Sequence, residues 1–177
     1  MILAEINFGL YLFLMEEVFT GYFESPIGWM QIQCTNEVLT RVSFLDMEPN
    51  ADNCDHPIVN FTMNQLSQYF NGTLKQFDLM LRPTGTEFQL KVWKQLQQIE
   101  YGKTISYLQL ATKLGDKKVI RATGSANGKN PIAVIIPCHR VIGSDGKLVG
   151  YSGKIWRKKW LLEHEKAIKF HQTELKF

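Results

Sequence analysis

From Val18 to Asp46, apolar residues come in short runs broken by turn formers. Ser25-Pro26-Ile27-Gly28 marks a turn, followed by Trp29 to Cys34 and, after Thr35-Asn36-Glu37, by Val38 to Leu45. These runs predict antiparallel strands. The polar stretch Glu48 to Pro57 reads as a loop. Ile58, Phe61, Leu66, Tyr69 and Phe70 then fall close to helical spacing, and Asn71-Gly72 supplies a stop. Phe77 to Leu81 predicts another short strand, and Arg82-Pro83-Thr84-Gly85 breaks regular structure.

The second half opens with a helix start. Thr86 and Gln89 stand three residues apart as a capping box, which satisfies two orphan backbone donors. Phe88, Val92, Trp93, Leu96 and Ile99 line one face, and Tyr101-Gly102 ends it. Ser106 and Gln109 form a second capping box before a short helix with Leu110, Ala111 and Leu114 that stops at Gly115. Asp116 can cap a third helix at once, from about Lys117 to Asn127. Two helices joined by a tight turn containing Gly predict a helix-turn-helix. Its second helix carries Lys117, Lys118 and Arg121, then the small residues Ala122, Gly124, Ser125 and Ala126, which would allow either a close approach to a nucleic-acid backbone or tight helix packing.

Charge sharpens this picture. Residues 1–85 hold three Lys/Arg against ten Asp/Glu, a net of −7; residues 86–177 hold seventeen against seven, a net of +10. An acidic front half and a basic back half point to a polyanion as partner of the back half. No run of eighteen or more apolar residues exists to span a bilayer. The apolar opening MILAEINFGLYLFLMEE contains Glu5 and has neither a basic start nor a small-residue cleavage site, so it does not read as a signal peptide. It is expected to be an added strand or helix, or an extension ahead of a start at Met15. The division expected is an extension over 1–17, an N-terminal α/β domain over 18–85, a helical domain over 86–168 and a tail over 169–177.

Three cysteines, Cys34, Cys54 and Cys138, are too few and scattered for a disulfide framework and fit a reducing cytoplasm. Cys54 and His56 lack a second pair at ligand spacing, so no metal is expected. Cys138 is different. The apolar run Ile132 to Ile136 reads as a strand ended by Pro137, and Cys138-His139-Arg140 follows directly. Neighbouring residues on a strand point to opposite faces, but a proline-forced turn lets Cys138 and His139 face one pocket, in contact through a water.

Pro137-Cys138-His139-Arg140-Val141 resembles the active-site signature of the O6-alkylguanine-DNA alkyltransferases. Further segments agree in order: Thr86-Glu87-Phe88-Gln89 with Val92-Trp93, Ile105-Ser106-Tyr107 with Leu110-Ala111, and Arg121-Ala122 with Gly124, Ala126-Asn127 and Asn130-Pro131. Gly150-Tyr151-Ser152-Gly153 and Trp160-Leu161-Leu162-Glu163-His164-Glu165 complete the match. Ser25-Pro26-Ile27-Gly28 and Tyr69-Phe70-Asn71-Gly72 extend it more weakly over 18–81. Lys154 departs from it, because the family usually has a second glycine there.

The resemblance implies an α+β fold, with a small ribonuclease H-like N-terminal domain on an antiparallel sheet and a mainly helical C-terminal domain. It implies stoichiometric, single-turnover transfer of an alkyl group from O6 of guanine in double-stranded DNA to Cys138, with O4-alkylthymine a second candidate substrate. His139 would take the thiol proton through a water and Glu165 would orient the imidazole. Tyr107 would give a proton or a hydrogen bond to the leaving guanine, and Asn130 would brace the turn. Arg121 would enter the base stack with Ala122 and Gly124 beside it, while Val141, Tyr151 and Ser152 would contact the base. Cofactors are not expected, and the protein would act as a cytoplasmic monomer. The basic run Arg157, Lys158 and Lys159 reads as a solvated or phosphate-facing helix face with no catalytic part. The same residues are compatible with two other functions: a module that binds alkylated DNA without repairing it, and a cysteine hydrolase built on Cys138, His139 and Glu165.

Overall fold

The computed structural model describes residues 16–168, and the expectations for residues 1–15 and for the tail from 169 onward lie outside the described residues. β1 (Phe19–Ser25), β2 (Gly28–Cys34) and β3 (Leu39–Phe44) form an antiparallel meander in that order. The turn at Ser25 is held by its own hydroxyl, which donates to Gly28 O at 2.6 Å and accepts from Ile27 N at 3.3 Å. Alternation along β2 puts Met30, Ile32 and Cys34 into the interior. Helix α1 (Pro57–Phe70) lies across the sheet and buries Val59, Leu66 and Tyr69. Proline occupies its start, where a missing N–H costs nothing, and His56 caps it through Nδ1, which accepts from Ile58 N.

The segment 77–81 is not a strand. It makes one parallel bridge, Leu39 to Leu81. The physical reason is Gln65: its amide donates to Asp78 O and accepts from Asp78 N, both at 2.9 Å, which occupies the backbone groups a ladder would need.

The second half follows the capping signals. α2 (Glu87–Leu96) carries the Thr86–Gln89 capping box and α3 (Tyr107–Lys113) the Ser106–Gln109 box. After Gly115, Asp116 caps a single 3-10 turn over Lys117–Val119, and α4 (Ile120–Gly128) continues from it. α3 and α4 make the helix-turn-helix. Trp93 on α2 donates its indole N–H to Ala126 O at 2.9 Å and so fixes α2 against α4. The two-residue strands β4 (Ile105–Ser106) and β5 (Val141–Ile142) pair in parallel, and α5 (Ile155–His164) closes the fold.

One continuous apolar core joins the halves, from Met30, Ile32 and Val42 through Leu66 and Tyr69 to Val92, Leu96, Ile136 and Leu161. Backbone bonds cross it as well: Val42 N donates to Pro131 O at 3.0 Å and Ala133 N to Val42 O at 2.8 Å. This pairing replaces the strand expected over 132–136 with a coiled turn. Val134 stands at φ +70°, a strained conformation for a β-branched residue. No helix among the described residues is long and apolar enough to cross a membrane.

Candidate active site

Asn130 organises the turn that presents the thiol. Its amide nitrogen donates to Ile136 O at 2.8 Å and Ile132 O at 3.3 Å and lies 3.1 Å from Cys138 Sγ, while its oxygen accepts from Ile132 N at 3.0 Å. Pro137 then leads into a 3-10 turn over Cys138–Arg140. Asn127, at the end of α4, donates to Cys138 O at 3.3 Å and reaches Tyr107 Oη at 3.5 Å. α4 is thereby tied to the thiol turn through the Asn127 side chain.

Cys138 is buried but lines a cavity of about 240 Å³ together with Asn130, Tyr151, Ser152, Gly153 and Lys154. The Tyr151 hydroxyl is buried and, like His139 Nδ1, has no hydrogen-bond partner among the described residues. Such orphaned polar atoms cost free energy unless something else satisfies them. Of the two residues, Tyr151 lines the cavity, and its hydroxyl is a reason to look for a ligand there.

Glu165, at the C-cap of α5, is the electrostatic centre. Its Oε1 accepts from Tyr69 Oη at 2.7 Å and lies 2.8 Å from His139 Nε2. Arg140 grips both carboxylate oxygens, through Nε and Nη2, each at 2.9 Å, and Gly102 N donates to Oε2 at 3.2 Å. Burial by itself pushes the Glu165 carboxyl up; His139 and Arg140 outweigh it and hold the group well below the usual carboxylate range. Burial lowers His139 and keeps its ring neutral, although Glu165 pulls the other way. Burial pushes the Cys138 thiol up, opposed by the Asn130 amide and by Lys158. A buried neutral imidazole next to a fixed carboxylate is the arrangement a general base needs.

Two matches with known families bear on this constellation. Residues 18–83 fit the family model described as 6-O-methylguanine DNA methyltransferase, ribonuclease-like domain, and residues 87–167 fit the 6-O-methylguanine DNA methyltransferase, DNA binding domain. The chain belongs to the 6-O-methylguanine DNA methyltransferase family. It is similar to a methylated-DNA–protein-cysteine methyltransferase of Mycobacterium bovis, 46% identical over 148 residues that cover 81% of this chain and 90% of that protein. One of Methanosarcina acetivorans is 42% identical over 153 residues, covering 84% and 98% respectively. The crystal structure of the Mycobacterium tuberculosis protein in complex with DNA superposes with a TM-score of 0.76 at 44% identity, covering 84% of this chain and 92% of that one.

For a member of the methyltransferase family, the expected residues are spread over several places in the structure. Cys138, Asn130, Tyr151 and Ser152 share the cavity, and His139 and Glu165 sit together behind it. Tyr107 is not among the residues that line this cavity; its hydroxyl donates towards Val149 O at 3.0 Å and Gly150 O at 3.3 Å, and burial pushes it up to about 12. Any side chain at position 150 would strike that hydroxyl at 2.7 Å. Arg121 and Ala122 are exposed on α4, with Lys117 and Lys118 in the turn before it, and Gly124 lies against the Tyr107 ring. Val141 is buried, with its carbonyl already taken by Lys158.

That last contact corrects the reading of the basic run. Lys158 is fully buried, donating to Val141 O at 2.5 Å and Val149 O at 2.7 Å, and burial lowers it to about 8. Arg157 is buried too, donating through Nε to Ile27 O at 2.8 Å. Only Lys159 is partly solvated, with Glu163 at 3.9 Å. Both exceptions find carbonyl partners that no local pattern announces. Tyr69, Arg140 and Asn127 are the other members of the site to which sequence reasoning gave no role. Arg140 had a signal, its place in the signature; Tyr69 acts across 96 positions and had none.

Proposed function

We propose that this protein repairs DNA by moving an alkyl group from O6 of guanine to Cys138 Sγ, once per molecule. Residues 18–85 serve as the supporting α/β domain and 86–168 as the catalytic, DNA-binding domain. Double-stranded DNA binds along the helix-turn-helix, where Lys117, Lys118 and Arg121 are exposed. Phosphate contacts from such cations supply most of the affinity. Arg121 fills the stack in place of the guanine swung out between Tyr107, Tyr151 and Ser152, with Ala122 and Gly124 close to the backbone. O6 of a stacked base offers no line of approach to a sulfur inside a protein, and extrusion costs a few kcal/mol, least for a poorly paired lesion.

In the transfer, the thiol proton passes to His139, by way of a water at Nδ1. The sulfur then attacks the alkyl carbon. An S–C bond forms, the C–O6 bond breaks, and the electron pair leaves with guanine, which Tyr107 protonates. Glu165 fixes the imidazole through Nε2 and stabilises the cation formed. Arg140 and Tyr69 keep Glu165 ionised and in place. The step balances without a cofactor, and a thioether offers no hydrolysable bond, so the protein is spent after one event. One chain supplies every group named, in keeping with a monomer. A cytoplasmic location suits its three unpaired cysteines.

The observation that carries this reading is Cys138 on the wall of a cavity, next to the buried His139–Glu165–Arg140 assembly, in a chain with the family's full two-part match. Peptide mass mapping after incubation with duplex DNA containing O6-methylguanine tests it. Methylated Cys138 is expected; a protein left unmodified while methyl leaves the DNA contradicts it.

A further inference from the structure

The loop that covers the cavity is latched to the N-terminal half of the molecule. Lys154, at φ +73°, extends its ammonium to Asp46, just beyond β3, at 2.6 Å. Next to it, Gly153 is wedged between rings: a Cβ there would lie 2.7 Å from Tyr151 Cε1 and 3.0 Å from Phe44 Cδ2. The buried Arg157 guanidinium lies 4.7 Å from the centre of the Phe44 ring and donates to Ile27 O, Gly153 O and Leu45 O. Three ties therefore join the 151–157 segment to the end of β3 and to the β1–β2 turn. Of these, only the Lys154–Asp46 pair is exposed and free to open.

The same elements wall the cavity. Cys138, Asn130 and Tyr151 to Gly153 line one part, and Ser43, Phe44 and Asp46 from the N-terminal half line the rest, with Lys154 at the rim. At about 240 Å³ the cavity is smaller than the ~300–1,000 Å³ of ordinary ligand pockets. For a substituent on a base held there, the boundary on the N-terminal side is the Ser43, Phe44 and Asp46 wall that Lys154 latches, so the position of that wall sets the room left beyond a single carbon.

The geometry points to the Lys154–Asp46 ion pair as a specificity-determining latch, which closes an N-terminal wall over the cavity and biases the protein towards small alkyl groups. This inference rests on the repair function proposed above and adds the alkyl-size class that the site accepts. An extruded guanine carrying a methyl group reacts with the latch closed. One carrying a benzyl group reacts only from the open state, whose population the ion pair sets.

The test compares single-turnover transfer to Cys138 from duplexes of one sequence carrying O6-methylguanine or O6-benzylguanine. The ratio of the two rates cancels DNA affinity. Lys154→Met keeps a side chain at the left-handed position and removes the charge; Asp46→Asn leaves the loop untouched. Each is expected to raise the benzyl-to-methyl ratio by about two- to fivefold, the range available to an exposed ion pair. The double variant should show no further rise, and the charge swap Lys154→Asp with Asp46→Lys should return the ratio towards that of the parent. An unchanged ratio in both single variants, with methyl transfer intact, overturns the latch and leaves the repair function standing. Additive effects, or a swap that restores nothing, also overturn it. A parent protein that transfers no methyl group overturns the repair function itself, and the latch with it.

Discussion

His139 Nε2 and Glu165 Oε1 lie 2.8 Å apart with both side chains shut off from solvent. Their contact fixes which imidazole nitrogen faces away from the carboxylate and is left for proton transfer. Glu165→Gln keeps the shape but removes the anion, so the tautomer is no longer enforced and the Arg140 guanidinium is left buried without its counter-charge. Transfer is expected to slow by on the order of 10³-fold or more, and unfolding stability to fall by about 3–5 kcal/mol. Single-turnover kinetics and urea denaturation check the two effects separately. A variant with parental rate contradicts the orienting role.

The same pair sets the pH dependence of stability. Burial lowers the folded His139 below its ordinary range, so as pH falls through about 6.5 the unfolded chain takes up a proton that the folded one resists. Glu165 is held low, so its contribution is complete above about pH 4.3 and is lost as pH falls further. Both terms have one sign: the urea midpoint should drop on acidification, first below about 6.5 and again below about 4.3. A midpoint constant from pH 7 to 4 contradicts this.

Arg121 is exposed on α4, away from the buried ion cluster. If it holds open the space left by the base, Arg121→Ala slows repair in duplex DNA by about 10–100-fold, the scale set by an extrusion cost of a few kcal/mol. Reaction with free O6-benzylguanine, where nothing need be extruded, should change far less. Equal slowing of both contradicts the wedge role.

Much of this architecture was legible in the sequence because it is locally encoded. Both capping boxes and the Ser25–Gly28 turn occur where spacing and residue type put them. The Asp116 cap does so as well, with its first turn tightened to 3-10. Where periodicity failed, a distant partner had intervened. Phe61, at apparent core spacing, is 49% exposed, because α1 turns Val59 and Thr62 to the sheet instead. The 77–81 strand gave way to Gln65, and the 132–136 strand to Val42 and Asn130. In the site, Cys138, His139 and Glu165 could be named from the signature and its closing segment. Tyr69, Arg157 and Lys158 could not, since each acts through a contact made only once the two halves meet or the 141–149 loop folds back.

The central claim is that Cys138 is both the acceptor and the end of the reaction. Titrating the protein with duplex DNA that carries radiolabelled O6-methylguanine measures this directly. Label should pass to the protein, reside on Cys138, and level off at one methyl group per chain however much DNA is added. Cys138→Ala should still bind the duplex yet acquire no label. Transfer that continues past one equivalent, or label on protein lacking Cys138, would contradict the account.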